Sequence, residues 1–158
     1  MLITYIQVGY WKNSAMLFEH TLKVTESNFL AHNNMGSYLL RKGNIKEAKQ
    51  HFSDALIINP YFEEALNNTG IVYFTEGKYL EAIDYYRKAL KLNPVNAETL
   101  NNIGVAMIYS GNTDKAIKYF TRALEINPEY KSAYDNLKKA LKLKAAFVNQ
   151  KEKQKAVN

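Results

Sequence analysis

One spacing constrains this chain more than any other: residues of the same kind return every 34 positions. Gly36, Gly70 and Gly104 are in step, as are Gly43/Gly77/Gly111, Ala48/Ala82/Ala116, Phe52/Tyr86/Phe120, Ala55/Ala89/Ala123, Leu56/Leu90/Leu124 and Asn59-Pro60/Asn93-Pro94/Asn127-Pro128. Seven registers in phase mean one structural unit repeated, each unit burying its apolar face against the next. Within a unit the apolar residues fall at helical spacing in two runs, with the second Gly between them. A Gly there can take the left-handed conformation that turns the chain after a helix. The Pro ends the second run, because it lacks an N–H and restricts the residue before it. Each unit is therefore predicted to be a helical hairpin. Gly36 and Ala48, with their counterparts, belong where its two helices touch, Ala55 and its counterparts where the next hairpin packs, and the aromatic at 52, 86 and 120 fills the space between.

The pattern resembles the tetratricopeptide-repeat family, whose unit is 34 residues with small or aromatic residues at eight preferred places; seven are well represented here. The fourth is the weakest, with His32, Leu66 and Leu100 where the family often has an aromatic. The resemblance implies an all-α fold, a right-handed superhelix (an α-solenoid) of antiparallel helical hairpins. In its frame the full repeats are 29–62, 63–96 and 97–130. Residues 1–28 read as a partial repeat, with Tyr5, Gly9, Trp11, Phe18, Leu22 and Val24 on repeat positions, and 131–148 as a capping helix. All of 1–148 then forms a single domain, followed by a polar tail, 149–158, expected to fray.

Charge is distributed unevenly. The net +6 resides in residues 131–158, which carry eight Lys against Asp135 and Glu152, while the remaining 130 residues are neutral. The chain has no cysteine, so neither a disulfide nor a thiolate metal site is available to it. The apolar opening, Met1 to Val8, is far short of the roughly 18 residues that span a bilayer. His20, His32 and His51 sit at unrelated repeat positions, and no Gly-rich phosphate loop or nucleophile elbow is present. These features predict no enzyme, no cofactor, no metal and no small-molecule substrate.

In the family, the first helices of successive hairpins line a concave groove through repeat positions 2, 5, 6, 9, 12 and 13. The resemblance thus implies a lining of Leu30, Asn33, Asn34, Ser37, Leu40 and Arg41, then Glu64, Asn67, Asn68, Ile71, Phe74 and Thr75, then Glu98, Asn101, Asn102, Val105, Ile108 and Tyr109. The cap adds Ser132, Asp135, Asn136 and Lys139. The paired Asn suit a peptide main chain, since an amide donates and accepts at once; the same Asn also serve hairpin packing. The apolar strip of Ile71, Phe74, Val105, Ile108 and Tyr109 divides between core and groove. Relatives that clamp a peptide C-terminal carboxylate use Lys and Asn at positions 5 and 9, Asn at 6 of the next repeat, and Lys and Arg at 2 and 6 of the third. Here Asn33, Ser37, Asn68, Glu98 and Asn102 occupy those places. Only Asn68 matches, and Glu98 would repel a carboxylate.

The function expected is a scaffold holding a peptide or protein segment in the groove. The alternative is nucleic-acid or anionic-surface binding through Lys138, Lys139, Lys142, Lys144, Lys151, Lys153 and Lys155; the absence of Arg and the scarcity of aromatics there argue against stacking readout. Apolar surface around Tyr5, Ile6, Trp11 and Leu17 raises the prospect of a homodimer through the truncated first hairpin. Residues 9–34 are also similar to the repeat tails of bacterial membrane glycosyltransferase-like proteins, which would place the chain outside the cytoplasm; otherwise a cytoplasmic location is the default.

Overall fold

A computed structural model describes residues 28–157, apart from the side chains of a few residues after Gln150. The partial first repeat, the dimer surface around Tyr5 to Leu17, and most of the glycosyltransferase-like stretch lie outside the described residues. Those described form seven helices: α1 (Phe29–Arg41), α2 (Ile45–Ile58), α3 (Glu63–Thr75), α4 (Tyr79–Leu92), α5 (Ala97–Tyr109), α6 (Thr113–Ile126) and α7 (Lys131–Val157). No strand occurs among them. Contacts divide the chain into two compact units, one ending at Val72 and the other beginning at Tyr73, inside α3.

The turns follow from backbone hydrogen bonding. After α1, Gly43 has φ 82°; its N–H bonds to Leu40 O at 3.0 Å, and the Asn44 N–H reaches Leu39 O at 2.9 Å. This paired pattern, the Schellman motif, satisfies carbonyls that a helix end leaves open. It recurs after α3, through Gly77 to Phe74 and Lys78 to Tyr73, and after α5, through Gly111 to Ile108 and Asn112 to Met107. The second helix of each repeat stops at Asn59, Asn93 or Asn127, just before the Pro, and the caps bond back to Ala55, Ala89 and Ala123. At the start of α1 and α5, Asn28 and Asn96 cap through side-chain oxygens that accept from Ala31 N and Thr99 N.

In the first unit α1 packs on α2. Gly36 is the close-approach point: a Cβ placed there would sit 2.7 Å from Phe52 Cε1. Phe52, Ala48, Met35, Leu39 and Val72 form the buried core. In the second unit α4 packs on α5, α5 on α6, and α7 on both α5 and α6. Gly104 repeats the close approach against Phe120. Ala123 packs with Leu100 and with Ala133 of the following helix, as its repeat position requires.

The last helix passes residue 148, where the sequence reading ends the cap, and continues to Val157. Residues 149–157 contain no Gly or Pro, and Gln, Lys and Glu are good helix formers. The surface of α7 is also less polar than its composition implies, because Tyr134, Leu141, Leu143, Phe147 and Val148 are exposed among the lysines. Among the described residues no helix is long and apolar enough to cross a membrane.

Candidate functional site

The two Asn of each first helix have separate fates. Asn33 is 1% exposed; its Nδ2 donates to Glu64 Oε1 at 3.0 Å, and its Oδ1 accepts from Asn68 Nδ2 at 3.0 Å. Asn68 also donates to Ser37 Oγ at 3.2 Å. In the second unit Asn136 Nδ2 donates to Asn101 Oδ1 at 2.9 Å. Asn67 and Asn101 are 7% and 6% exposed. Asn33 and Asn101 therefore tie one first helix to the next, as a buried amide must be satisfied. Asn33, Asn67 and Asn101 are thus less accessible to solvent than the sixth-position amides. Asn34 is exposed, Asn68, Asn102 and Asn136 are half-buried, and Arg41 is exposed at the end of α1. Asn68 and Asn136 take part in these bonds through Nδ2, and an amide oxygen can accept as well.

The second unit carries the apolar part of the predicted lining. Phe74, Tyr79 and Tyr109 form a three-ring cluster with centroids 5.2–5.4 Å apart, the spacing at which aromatic pairs attract. Tyr109 is nonetheless 60% exposed. Beside it Val105, Ile108, Tyr109, Asn136, Lys139 and Leu143 surround a hollow of about 230 Å³, closed behind by Phe120 and Ala140. Five residues given to the lining by the repeat frame, Val105, Ile108, Tyr109, Asn136 and Lys139, thus meet at one concavity. Ile71 is half-buried. A larger hollow, about 660 Å³, opens between the α5–α6 turn and α7, lined by Thr113, Lys115 and Phe147 among others. Lys144 Nζ pairs there with Asp114 Oδ1 at 2.7 Å.

The titrating groups follow their surroundings. Burial, with Glu98 adding to it, pushes the Tyr86 phenol well up, so it stays protonated and packs as a core aromatic. His51 is held below its ordinary value by burial first and by His32 second, against the opposing pull of Asp54 and Glu47. His32 Nδ1 lies 3.1 Å from His51 Nδ1 and 3.5 Å from Asp54 Oδ2. Sequence reasoning separated these histidines by helix and repeat position; the hairpin brings them together.

The model of the tetratricopeptide repeat matches residues 27–94 and again 61–129, together most of the chain. The chain belongs to the tetratricopeptide-repeat family. Solved structures agree on the fold. The crystal structure of MamA superposes with a TM-score of 0.76 at 21% identity, covering 98% of this chain and 96% of that one. The first TPR of Spaghetti (RPAP3) bound to the HSP90 peptide SRMEEVD gives 0.72 at 22% identity, over 78% of this chain and 98% of that one. The first TPR domain of human RPAP3 gives 0.73 at 23%, over 77% and 95%. At these identities the likeness establishes an all-α TPR solenoid fold. No curated protein matches the sequence significantly.

Proposed function

We propose that this TPR chain is a non-catalytic interaction scaffold that holds a peptide or protein segment on the first-helix face of its second unit. The observation that carries the reading is the hollow in the second unit, where Val105, Ile108 and Leu143 offer an apolar seat and Tyr109 an exposed aromatic wall. Asn136, which also lines it, donates through Nδ2 to Asn101, and its amide oxygen is of the type that accepts a main-chain N–H. A site of about 230 Å³ accepts one apolar side chain rather than a drug-sized ligand. The first unit, taken by itself, offers the same type of main-chain contact at Asn34 and Asn68.

The Spaghetti (RPAP3) domain, with its HSP90 peptide, supports peptide binding as a use of this fold. The anchor proposed here is different: Ser37 and Glu98 stand where the carboxylate-clamping relatives carry Asn and Lys. An apolar side chain, with Lys139 available to a neighbouring acid, fits the second unit better than a C-terminal carboxylate. The polyanion alternative is disfavoured by the exposed Leu141, Leu143, Phe147 and Val148 between the lysines of α7.

Selection from a random peptide display library, followed by titration of the recovered peptides, tests the proposal. Tyr109→Ala is expected to weaken the selected peptides by about 10-fold, the loss of one buried aromatic contact. Binding that Tyr109→Ala leaves intact, or a library that yields no binder, overturns it. Binding only to oligonucleotides, abolished at moderate salt, returns the function to the lysines of α7.

A further inference from the structure

In the first hairpin, away from the face described above, three side chains of metal-ligand type converge. His51 and Asp54 are three residues apart on α2, hence on one side of that helix, and His32 approaches from α1. One ligand atom from each lies within 4.8 Å of the others, and all three residues are half-buried. The internal repeat supplies a comparison within the same chain. The positions equivalent to His32 are Leu66 and Leu100, those equivalent to His51 are Tyr85 and Tyr119, and those equivalent to Asp54 are Lys88 and Arg122. Hairpin packing is met elsewhere with apolar, aromatic and basic residues, so the fold does not require two imidazoles and a carboxylate here. All three changes fall in the same repeat.

We propose that His32, His51 and Asp54 form a binding site for a divalent transition cation, with Zn²⁺ the best fit. Zn–N bonds of ~2.0–2.1 Å at tetrahedral angles place ligand atoms roughly 3.3–3.4 Å apart. The His32 Nδ1 to His51 Nδ1 and His32 Nδ1 to Asp54 Oδ2 separations, 3.1 and 3.5 Å, fall on either side of that value. The remaining pair lies within 4.8 Å, and Asp54, whose side chain is 31% exposed, has room to adjust. Two imidazoles and one carboxylate leave a fourth position for water, and the nitrogen donors exclude Mg²⁺ and Ca²⁺ as preferred ions. Glu47, one turn before His51, adds negative charge to the same end of the site, acting on the His51 ring. Bound metal would join α1 to α2 across the hairpin, and the site is independent of the peptide-binding face.

Calorimetric titration of the full chain with Zn²⁺ alone, in a non-chelating buffer, tests this. The expected result is one site per chain and a higher melting temperature with the ion present. Asp54→Asn and His51→Gln, both near-isosteric, should weaken binding at least about 10-fold and lose the thermal shift, whereas His20→Gln, which changes the chain's remaining histidine, should leave both unchanged. Should His51→Gln not fold, Asp54→Asn decides alone. Failure of the wild-type chain to bind Zn²⁺ saturably, or binding that survives Asp54→Asn at full strength, overturns the proposal and leaves the pair as a hydrogen bond between two rings.

Discussion

Replacing Gly104 with alanine sets two ordinary effects against each other, and the structure determines which is larger. In an exposed helix the change stabilises by about 1 kcal/mol, through helix propensity alone. At Gly104 the new methyl would stand 2.4 Å from Phe120 Cε1, with Cδ1 and Cζ at 2.7 and 2.8 Å. Carbon atoms in contact normally stay ~3.5–4.0 Å apart, so an overlap of roughly 0.7–1.1 Å at the least spans one whole edge of the ring. Phe120 is almost fully buried and has nowhere to turn. Overpacking of this kind costs typically about 1–3 kcal/mol, and three close atoms place Gly104 at the upper end. The net expectation is a loss of about 2 kcal/mol, which lowers the melting temperature by roughly 4–8 °C for a chain of this size. Urea unfolding followed by far-UV circular dichroism reads it. Phe120→Leu should relieve the overlap, so the double variant should be more stable than the sum of the two single losses predicts. A Gly104→Ala protein as stable as the parent, or strict additivity with Phe120→Leu, would refute the close-packing argument.

Two further outcomes follow from the site geometry. Asn33→Ala should destabilise by about 1–3 kcal/mol, because it strands the Glu64 and Asn68 groups that bond to it, while Asn34→Ala should stay within about 0.5 kcal/mol; chemical denaturation of the two side by side tests the contrast. Because the folded His51 imidazole titrates below its ordinary 6.5, the unfolded state binds more protons in the interval between the two values. The stability it contributes is complete above pH 6.5 and is lost as pH falls through the lowered folded value, so His51→Gln should flatten the decline measured between pH 7 and 5.

The hairpins and their turns were legible because each depends on residues close in sequence. Gly43, Gly77 and Gly111 announce a left-handed turn wherever they stand, and Asn59-Pro60 ends a helix without reference to the rest of the chain. The site was legible only as a set of positions. Asn33 and Asn34 are neighbours of the same type, and the repeat frame gives both to the groove. Which one is buried depends on how the next first helix crosses, and that is set by packing at Gly36, Phe52 and Val72 rather than by either amide. The meeting of His32 with His51 was hidden for a similar reason. Nineteen residues separate them, and only the Gly36–Phe52 contact brings the two helices close enough for their rings to touch. A position-by-position comparison of the three repeats, which sets His, His and Asp against Leu, Tyr and a basic residue, was the available signal.

The three Schellman turns divide labour between backbone and side chains. The same two hydrogen bonds close each of them, yet the residues flanking the glycine are Lys42 and Asn44 in one, Glu76 and Lys78 in the next, and Ser110 and Asn112 in the last. A methyl group added to any of these glycines meets nothing within 4 Å, so the tips open onto solvent. The chain thus carries attachment points at regular intervals in its sequence: a fluorophore or spin label coupled at position 42 would sit at a hairpin tip, beside a glycine whose added methyl meets nothing. Such a label would report on the surroundings of one turn without altering the two hydrogen bonds that close it.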